Sequence, residues 1–98
     1  MLLRILSIVA GALLLLSTAQ AGEVSRGALL ASQCAACHGT NGKGSAPMPS
    51  INGLTVKDMM DFMKAFASKE EPSTIMYRHA AGYTDEELKA LAEYLKDQ

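Results

Sequence analysis

Cys34-Ala35-Ala36-Cys37-His38 is the stretch that decides how this chain is read. Two thiols three residues apart, with a histidine directly after the second, form the attachment pattern of a c-type haem. The spacing has a chemical reason. One helical turn carries both sulfurs to the edge of a porphyrin for thioether bonds, and the histidine then falls where a ring nitrogen reaches the iron. Three other readings compete. A zinc site asks for four ligands, usually as two such pairs, and beyond these three residues only His79 is on offer. A thioredoxin-like site asks for a βαβ setting, which the chain does not show. A plain structural disulfide makes no use of His38. The motif therefore predicts one covalently held haem c, with Cys34, Cys37 and His38 as the residues that hold it.

Upstream of the motif, Met1 to Arg4 give a short basic start, Ile5 to Leu16 an apolar run broken only by Ser7 and Gly11, and Ala19-Gln20-Ala21 a small-x-small cleavage pattern. Residues 1–21 are expected to be a signal peptide and residues 22–98 a single monohaem domain. The apolar run is shorter than the roughly 20 residues of a spanning helix, and no cysteine follows it to carry a lipid. Export agrees with the motif, since c-type haem is attached outside the cytoplasm and two thiols kept there would otherwise oxidise. The expected location is the periplasm, given a Gram-negative source. Loss of Arg4 leaves eight Lys and Arg against ten Asp and Glu, a net charge of −2. No basic stripe points to nucleic acid. A domain this short buries too little apolar surface without a staple, and with no Trp in the chain a haem would supply the missing core.

Downstream, the pattern is helical. Gly22 to Gln33 reads as a first helix running into the motif, with Leu29 and Leu30 as its apolar residues. Gly27 inside it costs about 1 kcal/mol relative to Ala, which suggests a close crossing with the last helix; a frayed start is the alternative. Gly39 to Gly53 is loop chemistry throughout, long enough to be functional and able to wrap one side of the cofactor. His38 needs an acceptor for its second ring N–H, and Pro49-Ser50-Ile51 is the expected place. Thr55 to Ala67 is amphipathic, with Val56, Met59, Met60, Met63, Phe66 and Ala67 on one face and Thr55 as N-cap. Its methionines read as core packing around a flat cofactor. Ser68 to Pro72 breaks this helix, and Ser73 to Ala80 forms a short segment ending at Gly82. Thr84 to Glu87 is a capping box, with Tyr83 and Leu88 as a hydrophobic staple, and Leu88, Leu91, Ala92 and Leu95 form the buried face of the final helix. No strand alternation is visible, so the fold class is all-α.

With the haem motif near its front and Leu91, Ala92, Tyr94 and Leu95 on a capped last helix, the chain resembles the class I cytochromes c over residues 22–98. The resemblance implies a small fold of three to five helices wrapped around one covalent haem. It also implies crossing contacts of Gly27 and Leu30 with Leu91 and Tyr94, a histidine acceptor at the Pro49 carbonyl, and Met76 as the second axial ligand, with Met48 and His79 as rivals for that position. Within the class, Cys34 to Thr40, Pro49-Ser50-Ile51 and Ser73-Thr74-Ile75-Met76, followed by Ala80 and Gly82-Tyr83, resemble the cytochrome subunits of flavocytochrome c sulfide dehydrogenases. Those subunits often carry two haems, and this chain has one motif. The resemblance implies an electron carrier and not an enzyme, taking electrons from a flavoprotein that oxidises sulfide; a free shuttle between membrane complexes and a terminal oxidase, or a haem protein with an open iron site, are the alternatives. Filled axial positions and thioether ligation, which raises the potential, suit the carrier. Tyr77 and Met48 are candidates for an apolar docking patch, Tyr77 alternatively packing against the haem.

Overall fold

In the computed structural model, which describes residues 22–98, the first helix begins where the sequence first offers a cap. Ser25 stands in extended backbone and its hydroxyl accepts from the Ala28 N–H at 3.1 Å. The helix α1, Arg26–His38, then runs through the whole cysteine motif and ends only where Gly39 takes φ +81°. It thus starts later and ends later than Gly22 to Gln33, because nothing in the Ala-rich motif stops a helix before Gly39. Its buried residues are Gly27, Ala31 and His38. Leu30 is half-buried against the core, whereas Leu29, the other apolar residue read in this helix, is 64% exposed. The expected signal peptide, residues 1–21, lies outside the described residues.

A 3₁₀ turn, Thr40–Gly42, follows within the expected loop. The amphipathic α2, Val56–Ala67, is capped by Thr55, whose hydroxyl accepts from the Asp58 N–H at 3.1 Å. Met59 and Met63 are buried, and Val56, Met60 and Phe66 pack against them from half-buried positions. Ala67, expected on this face, is exposed at the last turn. Beyond α2, Lys69 adopts φ +64°, a left-handed conformation that commonly ends helices with Gly and costs an ordinary L-residue about 1–2 kcal/mol. At the start of the short α3, Met76–Ala81, the Tyr77 N–H donates to the Ser73 hydroxyl.

The last helix α4, Asp85–Lys96, carries the expected capping box: Glu87 N–H donates to the Thr84 hydroxyl at 3.2 Å, and Thr84 N–H to the Glu87 carboxylate at 3.0 Å. Three acidic residues in its first turn and Lys96 in its last oppose the helix dipole. Leu88, Leu91, Ala92 and Leu95 are all buried, with Tyr83 packed beside them. α1 crosses α4, and α2 lies against both α3 and α4. The crossing is as close as Gly27 suggests. A Cβ added there would collide with the Ala90 carbonyl oxygen and stand 3.0 Å from Tyr94 Cβ. The described residues contain four α-helices and no strand, only one isolated bridge between Ser45 and Met48. The all-α fold of three to five helices is borne out.

Candidate haem site

Because α1 continues through the motif, Cys34 and Cys37 stand three residues apart on one helix, where neighbours at that spacing share a face. Cys34 is half-buried and Cys37 exposed; His38, the last helical residue, is 7% exposed. Its backbone carbonyl accepts from the Gly44 N–H at 2.6 Å, and its ring Nδ1 lies 2.7 Å from the Pro49 carbonyl oxygen. A carbonyl can only accept, so Nδ1 is the donor in this bond, and Nε2 is the ring nitrogen that it leaves unused.

What holds the Pro49 carbonyl there is Gly44. It sits at φ +73°, and a Cβ on it would come within 2.6 Å of Ser50 N and 2.8 Å of Pro49 C. The segment from Met48 to Ser50 therefore passes directly over a residue that can only be Gly. The Ser45–Met48 pair, with backbone bonds of 3.1 and 2.6 Å, closes the turn between them. The sequence placed the acceptor at Pro49-Ser50-Ile51, but Gly44 had no signal to separate it from the other loop glycines.

Two adjoining cavities open beside His38. The first, about 370 Å³, is lined by Cys34, Cys37, His38, Met48, Met76 and His79 among others. The second, about 380 Å³, reaches inward past Met59, Phe62, Leu91 and Leu95. Cys34, His38, Pro49, Met63, Phe66 and Met76 line both. Sites for cofactors span roughly 300–1,000 Å³ and are mostly apolar with a few placed polar groups, and these residues fit that description. The donor set fits a haem c as well: two thiols, an imidazole whose Nε2 is not used by the Pro49 bond, and a thioether on one shared space. Of the three residues weighed as the second axial ligand, Met48 and His79 line the first cavity only, while Met76 lines both.

Two neighbours were not read from the sequence as parts of this wall. Tyr83 and Gln33 both line the first cavity, and the Tyr83 hydroxyl lies 3.5 Å from Gln33 Oε1. Burial pushes the Cys34 thiol above its ordinary value; burial, then the nearness of Cys34 and Glu87, pushes up the Tyr83 phenol. Tyr77 lines neither cavity. Nor does it offer a bare apolar face, since Lys69 and Arg78 both lie over its ring.

An all-helical domain with a covalent attachment motif opening onto an apolar cavity defines a small haem-binding electron-transfer protein. The chain belongs to the cytochrome c family, which matches it over residues 24–98. It is 44% identical over 70 residues to the cytochrome subunit of sulfide dehydrogenase of Chlorobaculum tepidum, a match covering 71% of this chain; the chain spans 64% of that relative's length. It is also 30% identical over 82 residues to cytochrome c-554(548) of Halomonas halodenitrificans, covering 80% of this chain and 99% of the relative. Cytochrome c-553 of Helicobacter pylori is 34% identical over 64 residues, covering 63% and 67%. As a cytochrome c, the chain carries haem c covalently and transfers electrons rather than catalysing a reaction. No helix among the described residues is long and apolar enough to cross a membrane.

Proposed function

We propose that residues 22–98 form an exported, periplasmic cytochrome whose single haem c is bonded to Cys34 and Cys37, ligated by His38 and Met76, and reduced by a flavoprotein that oxidises sulfide. The observation that carries the ligation is the 2.7 Å approach of His38 Nδ1 to Pro49 O, beside a space that the cysteines, His38 and Met76 line together. Bound there, haem c supplies a one-electron couple between ferric and ferrous iron. Pro49 fixes the tautomer and the ring orientation of His38 and makes it a better donor. Met76, as a thioether, favours the ferrous form and raises the potential. Met63, Phe66, Leu91 and Leu95 keep water from the inner wall. The partner is drawn from the sulfide dehydrogenase subunit named among the relatives, and the export from the apolar start of the chain.

Acid-acetone extraction should leave the haem on the protein; its release would overturn the attachment. The oxidised protein should show the weak sulfur-to-iron band at the red end of the spectrum, and Met76→Ala should abolish it and lower the potential. Survival of that band in Met76→Ala with loss in Met48→Ala would reassign the ligand. Reduction by sulfide should depend on an added flavoprotein dehydrogenase. The relatives named simply as cytochromes, one of them covered over 99% of its length, favour a second reading as a free shuttle. Equal reduction by a quinol-oxidising complex would select it.

A further inference from the structure

The last turn of α4 is fastened to the stretch of chain that carries the His38 acceptor. The final carbonyls of a helix have no partner inside it, and two of them here find partners outside. The Leu95 carbonyl accepts from the Gly53 N–H at 3.1 Å and the Gln98 N–H at 3.2 Å, and the Tyr94 carbonyl accepts from the Gln98 side-chain amide at 3.0 Å. Gln98, so fixed, offers its own carbonyl oxygen, which accepts from Asn52 Nδ2 at 3.2 Å. Because that oxygen has no proton to give, the Asn52 amide must turn its nitrogen to Gln98 and its Oδ1 the other way. Oδ1 accepts from the Ser50 hydroxyl at 2.5 Å, far nearer than the Gly42 carbonyl at 3.4 Å. Ser50 is the residue directly after Pro49.

We propose that Asn52 is a positioning residue for the iron: acting through Ser50, it holds the Pro49 carbonyl at its 2.7 Å from His38 Nδ1 and so sets the reduction potential. Gly44 permits the close passage of Met48 to Ser50 without fixing where along it Pro49 stops. Asn52 supplies that stop, because its amide joins the neighbour of Pro49 to the end of α4, and its backbone N–H donates to the Gly42 carbonyl at 3.2 Å. The residue type follows from the two bonds. One planar group must accept on one side and donate on the other, and an Asp would turn an acceptor toward the Gln98 carbonyl. The iron feels this through the ring. A histidine whose second nitrogen donates to a well-placed carbonyl is a more basic ligand; a more basic ligand favours ferric iron and lowers the potential, opposite in sense to a thioether. Loosening Pro49 therefore raises the potential. The inference rests on the reading of His38 as a haem ligand and adds what sets the strength of that ligand.

The test measures, on the haem-loaded protein, the potential and the solvent exchange of the His38 Nδ1 proton by nuclear magnetic resonance. Asn52→Leu, which keeps the size without the polar atoms, should raise the equilibrium constant for reduction by a one-electron mediator about threefold, less than the tenfold or more of a direct partner, where tenfold is about 59 mV. It should also speed the exchange. Ser50→Ala, at an exposed position, should do the same, Ser50→Thr should restore both readouts, and Ser50→Ala with Asn52→Leu should shift the potential no further than either alone. Should Asn52→Leu fail to fold, the Ser50 pair decides. Thr84→Ala loosens α4 at its other end, so it should lower the melting temperature and leave the potential in place. A wild-type potential in Ser50→Ala, or a shift in Thr84→Ala as large as that in Asn52→Leu, would overturn the positioning role while leaving the His38 reading intact. His38 ring signals unshifted by the iron in the ferric wild type would instead overturn the ligation reading.

Discussion

The α1–α4 crossing and the α2–α3 side of the molecule solve the same problem in opposite ways. At the crossing, Gly27 and Ala31 let two backbones approach until Leu91 is only 1% exposed and Leu95 2%; protein atoms fill the space by themselves. On the other side, Met63, Phe66 and Met76 line two adjoining cavities, and Phe62 and Ile75 remain about half exposed. The difference teaches where the cofactor acts in folding. One half of the core closes by side-chain packing alone, and the other half offers a cofactor its apolar walls.

Removing the covalent attachment is the strongest way to break that contrast. Cys34→Ala with Cys37→Ala should give a chain that is unfolded or degraded in cells, because the α2–α3 half loses its filling while the crossing alone cannot support so short a domain. Circular dichroism and expression level report it. A native-like helical content with full stability in that variant would show that the crossing suffices. Next in size, Gly27→Val should destabilise the protein by about 1–3 kcal/mol through overpacking against Ala90 and Tyr94, lowering the melting temperature by about 4–8 °C for each kcal/mol. Since Val is a better helix former than Gly, a rise in stability would mean that the helices are not in close contact.

The smallest effects test the end of the crossing. Thr84→Ala removes the cap of α4 and should cost about 1 kcal/mol. Hydrogen bonds from the backbone and then the side chain of Thr84, and more weakly the Arg26 charge, hold the Glu87 carboxyl below its ordinary value of 4.5. A carboxyl depressed in the folded state contributes stability above its unfolded value and loses it as the pH falls through the lower folded value. Melting curves should therefore fall below pH 4.5, and Glu87→Gln should flatten that fall. An unchanged acid limb would separate the carboxylate from the stability of this helix.

How far the sequence reveals these two halves follows from where the information lies. Local chemistry was readable: the Thr84 and Glu87 cap, the Thr55 cap, the buried face of α4 and the crossing at Gly27 each depend on residues at fixed short spacing or on a glycine cost that needs a reason. The Pro49 acceptor was readable because a haem-bound histidine requires one. Contacts between distant segments were not. Leu29 and Leu30 read alike as the apolar residues of α1, but the close crossing selects Gly27 and Ala31 and turns Leu29 to solvent. Tyr77 looked like an apolar patch, since nothing in its own neighbourhood shows that Lys69, eight residues earlier, folds back over it. The pairing of Tyr83 with Gln33 spans fifty residues and leaves no local trace.

The bond from His38 to Pro49 spans eleven residues, and the turn between its ends is fixed by its own contacts: the Gly42 carbonyl accepts from the Ile51 and Asn52 N–H groups, and Asn41 accepts from the Tyr94 hydroxyl at 3.3 Å. Closing a loop of twice the length costs only about 0.6 kcal/mol more. Chain length alone is therefore cheap to change here, and what resists change is the close approach at Gly42 and Gly44, where an added Cβ would meet the Ile51 side chain at 2.7 Å and Ser50 N at 2.6 Å. Exposed Lys43, between those two glycines, is then the position of this loop that can be recoded while the His38–Pro49 bond is kept.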